Sequence, residues 1–157
     1  MTSTIEGAVC MLTIEEFKRQ EEACQALKPG RFRLARPDPP ASVNQINTVE
    51  EAIGIRLPDS YRQFLSSAGG GDYPLLSIFS ANPESAFYLP RRLADLQSVI
   101  GANLLPVHDD QAGGLRVLKV SRGEASESVY YWDWETRELS GPRYESVLDM
   151  VADCSFR

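Results

Sequence analysis

The stretch Val49-Glu50-Glu51-Ala52-Ile53-Gly54-Ile55-Arg56-Leu57-Pro58-Asp59-Ser60-Tyr61-Arg62-Gln63-Phe64-Leu65, closed by Gly69-Gly70-Gly71, decides the fold. Just ahead of it Ser42 and Gln45 form a capping box, and Val43, Ile46, Val49 and Ile53 follow at three- and four-residue steps. That spacing predicts a helix, which Gly54 stops. Leu57 precedes a proline and is pushed out of the helical region, so Ile55-Arg56-Leu57 is extended. Pro58 suits the first turn of a second helix, Asp59 complements its dipole, and Tyr61, Phe64, Leu65 and Ala68 line one face. The glycine run follows a helix and lacks a trailing Lys-Ser or Lys-Thr, so it reads as a helix stop and not as a phosphate cradle. The short helix pair invites comparison with a DNA-reading helix-turn-helix. Its second helix offers Arg62 as the single base, too little to anchor phosphates, and a packed helical layer explains the same spacing.

Toward the N-terminus, Thr13 and Glu16 make another capping box, with Leu12 and Phe17 as its hydrophobic staple. Ile14, Phe17, Cys24 and Leu27 recur at helical spacing until Pro29-Gly30. Residues 31–36 alternate as in a short strand, and Pro37-Asp38-Pro39-Pro40 is a stiff linker. Residues 1–41 therefore read as an N-terminal extension and 42–157 as the main domain. Toward the C-terminus, residues 75–79 and 87–89 look like short strands, and Leu93, Leu96 and Ile100 suggest a brief helix closed by Gly101. Residues 104–107, 115–120 and 129–135 form strands separated by turn residues, an antiparallel meander that Gly141-Pro142 breaks. Tyr144, Val147, Leu148 and Val151 give a closing amphipathic helix. The class is α+β: an antiparallel sheet of several strands flanked by helices.

A chain of 157 residues, 43% apolar and 24% charged, has the size and composition of one folded domain. Met1 to Met11 contains no basic cluster leading into a long apolar run, which points to a cytoplasmic protein without a membrane span. Cys10, Cys24 and Cys154 are odd in number and scattered, as free thiols in a reducing compartment are. The net charge of −6 is unevenly placed. Residues 1–41 balance six acids with six bases, whereas residues 124–153 carry eight acids and two bases. Such a surface repels phosphates, which argues against direct nucleic-acid binding and for a basic protein partner.

No residue set for catalysis stands out, and the expectation is a binding protein without catalytic residues, cofactor or metal. His108 beside Asp109 and Asp110 lacks a second His or Cys at ligand spacing, so a solvated turn is expected there. In residues 129–135, Tyr130, Trp132 and Trp134 share one face of a strand and Val129, Tyr131 and Asp133 the other. The candidate partner-binding residues are Glu124, Glu127, Asp133, Glu135 and Glu138 as charges, with Trp132 or Trp134 as the anchor.

In the deciding stretch, an acid four positions before a glycine, an extended Leu-Pro, an aromatic, a Phe-Leu and a Gly-Gly end resemble the SUKH superfamily. Glu50, Gly54, Leu57, Pro58, Tyr61, Leu65 and Gly70 fall on that pattern. The likeness runs over about residues 42–152 and takes in Leu105-Pro106-Val107, Gly113-Gly114 and Tyr130-Tyr131-Trp132-Asp133. The sequence departs from it at Leu115, where the family carries an acid, and at Arg143-Tyr144, where a Ser-Phe opens the last helix. The superfamily includes bacterial immunity proteins and fungal cell-wall regulators. The resemblance implies a non-enzymatic antidote that binds and blocks a toxin, here a basic and nuclease-like one by charge complementarity; the alternative it implies is a regulatory scaffold with a non-toxin partner.

Overall fold

The computed structural model describes residues 11–157, so Cys10 and the first ten positions of the extension lie outside the described residues. Thr13 caps helix α1 (Ile14–Leu27), its side chain accepting from the Glu16 N–H while Glu16 reaches back to the Thr13 N–H. Pro29-Gly30 does not simply end this helix. Pro29 opens a further short helix, α2 (Pro29–Arg33), where the alternation of residues 31–36 had suggested a strand. Arg31 explains the difference, because its guanidinium donates to the carbonyls of Ser155 and Arg157 and so draws the segment onto the end of the last helix. Only β1 (Arg36–Pro37) is extended.

Helix α3 (Val43–Ile53) begins at the Ser42–Gln45 capping box and ends with Gly54 in the left-handed region. The extended residues 55–57 lie against residues 123–125, the Arg56 N–H donating to Gly123 O and its carbonyl accepting from Ala125 N–H. Helix α4 (Asp59–Ala68) starts one residue later than expected, with Pro58 as its cap. The three glycines do more than stop it. A Cβ on Gly69 would sit 2.1 Å from the Pro39 carbonyl oxygen, so only glycine lets residues 38–39 cross at this point. There the Asp38 N–H donates to Gly70 O. Gly71 then begins β2 (Gly71–Tyr73), which pairs with β1 and with β3 (Leu76–Ile78) in a small antiparallel sheet.

Residues 87–89 are not a strand, since Leu89 already opens helix α5 (Leu89–Ile100), longer than its apolar spacing suggested. Four strands follow as a meander: β4 (Leu104–Asp109), β5 (Gly114–Ser121), β6 (Glu124–Asp133) and β7 (Leu139–Tyr144). Gly141-Pro142 lies inside β7 and does not break the sheet, because β7 is an edge strand and a proline there costs no central ladder. Ser146 caps the last helix, α6 (Val147–Phe156), supplying the serine missing at Arg143-Tyr144 a few residues further on.

The main core lies between one face of the meander, carrying Leu105, Val107, Leu118 and Val129, and the helices contributing Val49, Tyr61, Phe64, Leu148 and Val151. Phe17 of α1 is fully buried in that same core, in edge contact with Phe64. The opposite face is closed by Ile100 of α5 over Leu115, Val117 and Trp132. The fold is α+β as expected, with helices against both faces of an antiparallel sheet.

Candidate functional site

Strand β6 carries most of the candidate residues and sets their geometry. Its ten residues, at about 3.3 Å each, put Glu124 roughly 30 Å from Asp133. The candidate acids therefore do not form one patch. Glu124 lies exposed at the β5–β6 turn, opposite Ser121. Glu127 is half-buried, and its carboxylate accepts from the Ser60 hydroxyl at 2.6 Å, tying the sheet to α4. Asp133, Trp134, Glu135 and Glu138 do come together at the far end, in the β6–β7 turn, where the Asp133 N–H donates to Glu138 O. Asp133 Oδ1 in turn accepts from the backbone of Glu135 and Thr136.

The two candidate tryptophans differ in exposure. Trp132 is 4% exposed and belongs to the core with Leu115 and Val117, because its side of β6 is covered by α5. Trp134 is half-exposed, with its ring edge-on to Trp132 at 5.0 Å. Of the two aromatic sets on this strand, Val129 faces the main core, and Tyr130 and Trp134 pack around Trp132. On this strand only Val129 and Trp132 are buried, and Tyr130 and Tyr131, like Trp134 beyond them, stay half-exposed.

A neighbouring turn completes that end. Asp109 and Asp110, read from sequence only as companions of His108, are brought to the same end of the sheet as Asp133 by the pairing of Asp109 with Leu115 and of Gly114 with Asp133, and by the Trp134 N–H donating to Gly113 O. Asp110 accepts from the backbone N–H groups of Ala112 and Gly114 and from the Tyr131 hydroxyl at 2.8 Å. Partial burial would raise its pKa, yet those hydrogen bonds outweigh it and hold the carboxyl below the usual range. Burial, then the hydrogen bond to Asp110 and the charge of that carboxylate, pushes the pKa of the Tyr131 hydroxyl upward. The Tyr131 ring lies on Gly114, with the Arg143 guanidinium 4.8 Å from its centroid. A cleft of about 370 Å³ opens between the turns, lined by Gly113, Tyr131, Asp133, Trp134 and Glu135. The signal for this site was present in the sequence as two Asp-containing turns, but only the strand register joins them.

His108 is not in a solvated turn. It is buried within β4, Nδ1 lying 2.6 Å from the Ser77 carbonyl, and burial lowers its pKa. Among the described residues no group of three His, Cys, Asp or Glu is placed to hold a metal ion. Cys24 is buried and Cys154 half-buried, both as free thiols. No helix is long and apolar enough to cross a membrane among the described residues. What the β6–β7 end of the sheet offers is a carboxylate-rich rim around a half-exposed indole.

Comparison with known proteins places residues 40–153 in the family described as SMI1 / KNR4 family (SUKH-1). No curated protein matches the chain.

Proposed function

The chain belongs to the SMI1 / KNR4 family (SUKH-1), and on that premise we propose that it is a cytoplasmic immunity protein that neutralises a basic protein toxin by covering its active surface. It acts by binding and not by catalysis. The observation that carries this reading is the β6–β7 end of the sheet, where Asp133, Glu135 and Glu138 surround Trp134 and the neighbouring turn adds Asp109 and Asp110. None of these carboxylates has a Lys or Arg within ion-pair distance among the described residues. Unpaired carboxylates raise the rate at which a cationic partner arrives and fix its orientation. The half-exposed indole supplies apolar area of the kind that dominates binding energy. Hydrogen-bonded turns hold both in place before contact, which lowers the ordering cost of association. Many toxins acting on nucleic acids are cationic, and a nuclease-like target fits this surface.

Affinity purification of the tagged chain from its native cell, at low and moderate salt, tests the reading. A stoichiometric co-purifying protein that arrests growth when expressed alone, and is relieved by this chain, supports it. A housekeeping enzyme as the stoichiometric partner would replace it with a regulatory scaffold, the other role associated with this fold.

A further inference from the structure

Helices α1, α3 and α4 leave between them an open groove of about 410 Å³. Its floor is apolar, formed by Ile14, Val43 and Ile46, and Val43 is 71% exposed. Its charged groups are Lys18 and Arg62 against the single carboxylate of Asp59, so the groove is net positive in a chain whose net charge is −6. Lys18 has no ion pair among the described residues. The Arg62 Nη1 atom is shut off from solvent without a hydrogen-bond partner, and its nearest carboxylate, Asp59, stands 3.7 Å away and largely in water. The Arg62 side chain as a whole is 31% exposed, and an acceptor brought to its guanidinium adds a hydrogen bond that Nη1 lacks.

We propose that this groove is a second docking site, which receives a short protein segment carrying a carboxylate beside apolar side chains. The carboxylate pairs with Arg62 after a small rotation of the guanidinium and with Lys18, while the apolar side chains cover Val43 and Ile46. Charge selects an acidic occupant. Shape selects a protein segment over a small molecule, because a groove open along its length covers one side of its occupant, whereas small ligands are held by enclosure. A segment laid across helices with apolar anchors at helical spacing is an established mode of recognition. The site is independent of the acidic end of the sheet and takes a partner of opposite charge. It also depends on α1, which precedes the family-matched residues 40–153 and contributes Ile14 and Lys18.

The test is titration of the ¹⁵N-labelled full chain with a pool of twelve-residue peptides that fix one Glu and two helically spaced Leu or Ile residues, the other positions varied. A second pool replaces the fixed Glu with Gln. The expected result is movement of the Asn47, Gln63 and Ser66 resonances with the Glu pool, at an affinity about ten-fold or more above the Gln pool. Lys18→Glu and Val43→Glu each lower the affinity by a similar factor, and both positions are exposed enough that folding is untouched. Absence of shifts at these residues, equal binding of the two pools, or indifference to both substitutions overturns the proposal.

Discussion

Glu50 Oε2 accepts the backbone N–H of Leu57 at 2.8 Å, reaching across the Gly54 turn to the residue seven positions ahead. This bond satisfies a half-buried donor in a segment that has no helix or sheet ladder of its own, and it fixes the angle between α3 and α4. Glu50→Ala is expected to lower unfolding stability by about 1.5–3 kcal/mol, and Glu50→Gln by less, because the amide oxygen still accepts. Urea denaturation midpoints of the two variants check the difference. Equal losses would show that Glu50 matters for something other than this acceptor.

Gly114 is held by contact and not by backbone conformation. A Cβ there would lie 2.0 Å from the Tyr131 hydroxyl oxygen and 2.1 Å from its ring carbon. Gly114→Ala must therefore displace the ring from Asp110, at a cost of roughly 1–3 kcal/mol. The double change Gly114→Ala with Tyr131→Ala should recover part of the loss, a coupling that a double-mutant cycle measures directly.

His108 links stability to pH. Burial lowers its pKa, and the neighbouring Arg116 adds to this against the opposing Ser77 hydrogen bond and the Asp109 and Asp110 charges. The folded state thus binds fewer protons at this site than the unfolded chain. Its contribution is fully present above the ordinary imidazole pKa of about 6.5 and is lost as pH falls from there toward the lowered folded value, by up to about 1.4 kcal/mol per pH unit. His108→Gln should flatten the fall in melting temperature between pH 6.5 and 5, read by circular dichroism. An unaltered slope would assign the acid sensitivity to other groups.

The partner surface is testable by position along one strand. Reversal of Asp133, Glu135 and Glu138 to lysine is expected to slow association with the proposed toxin partner at least ten-fold at low salt and to remove most of its salt dependence. Glu124→Lys, roughly 30 Å away along β6, should leave the association rate within about two-fold. Stopped-flow measurements at two ionic strengths separate these outcomes. A larger effect at Glu124 would move the interface to the opposite end of the sheet.

Trp134 and Trp132 give a complementary test. Trp134→Ala should speed dissociation of the complex with little loss of stability, because the indole is half-exposed. Trp132→Ala should instead lower stability by about 3–5 kcal/mol, because that side chain fills the cluster around Leu115 and Val117. Both readings come from one pair of variants, measured by thermal melting and by dissociation kinetics.

Much of the fold was legible in the chain because its signals are local. Capping boxes at Thr13–Glu16 and Ser42–Gln45, the left-handed Gly54 and the Leu57-Pro58 constraint each depend on residues a few positions apart, and each is found where the sequence puts it. The β6 alternation likewise assigned Val129 and Trp132 to opposite faces. Signals that failed were those that a distant partner overrides. Residues 31–36 alternate like a strand, yet the terminal carbonyls of α6 recruit Arg31 and the segment coils. Pro142 looks like a sheet breaker, yet an edge strand tolerates it.

The sequence by itself determined the capped starts of α1 and α3, the α+β class, the acidic bias and the residues of the family pattern, because capping, proline geometry and net charge are properties of neighbouring residues. Only the tertiary structure decided which acids lie close together. Side-chain chemistry cannot reveal that the register pairing Gly114 with Asp133 joins two turns. Nor can it show that Glu127 is committed to Ser60, or that α5 closes over Trp132 and leaves Trp134 at the surface. Strand register and layer order arise from contacts between segments far apart in the chain, and those contacts turn an acidic composition into a surface with a location.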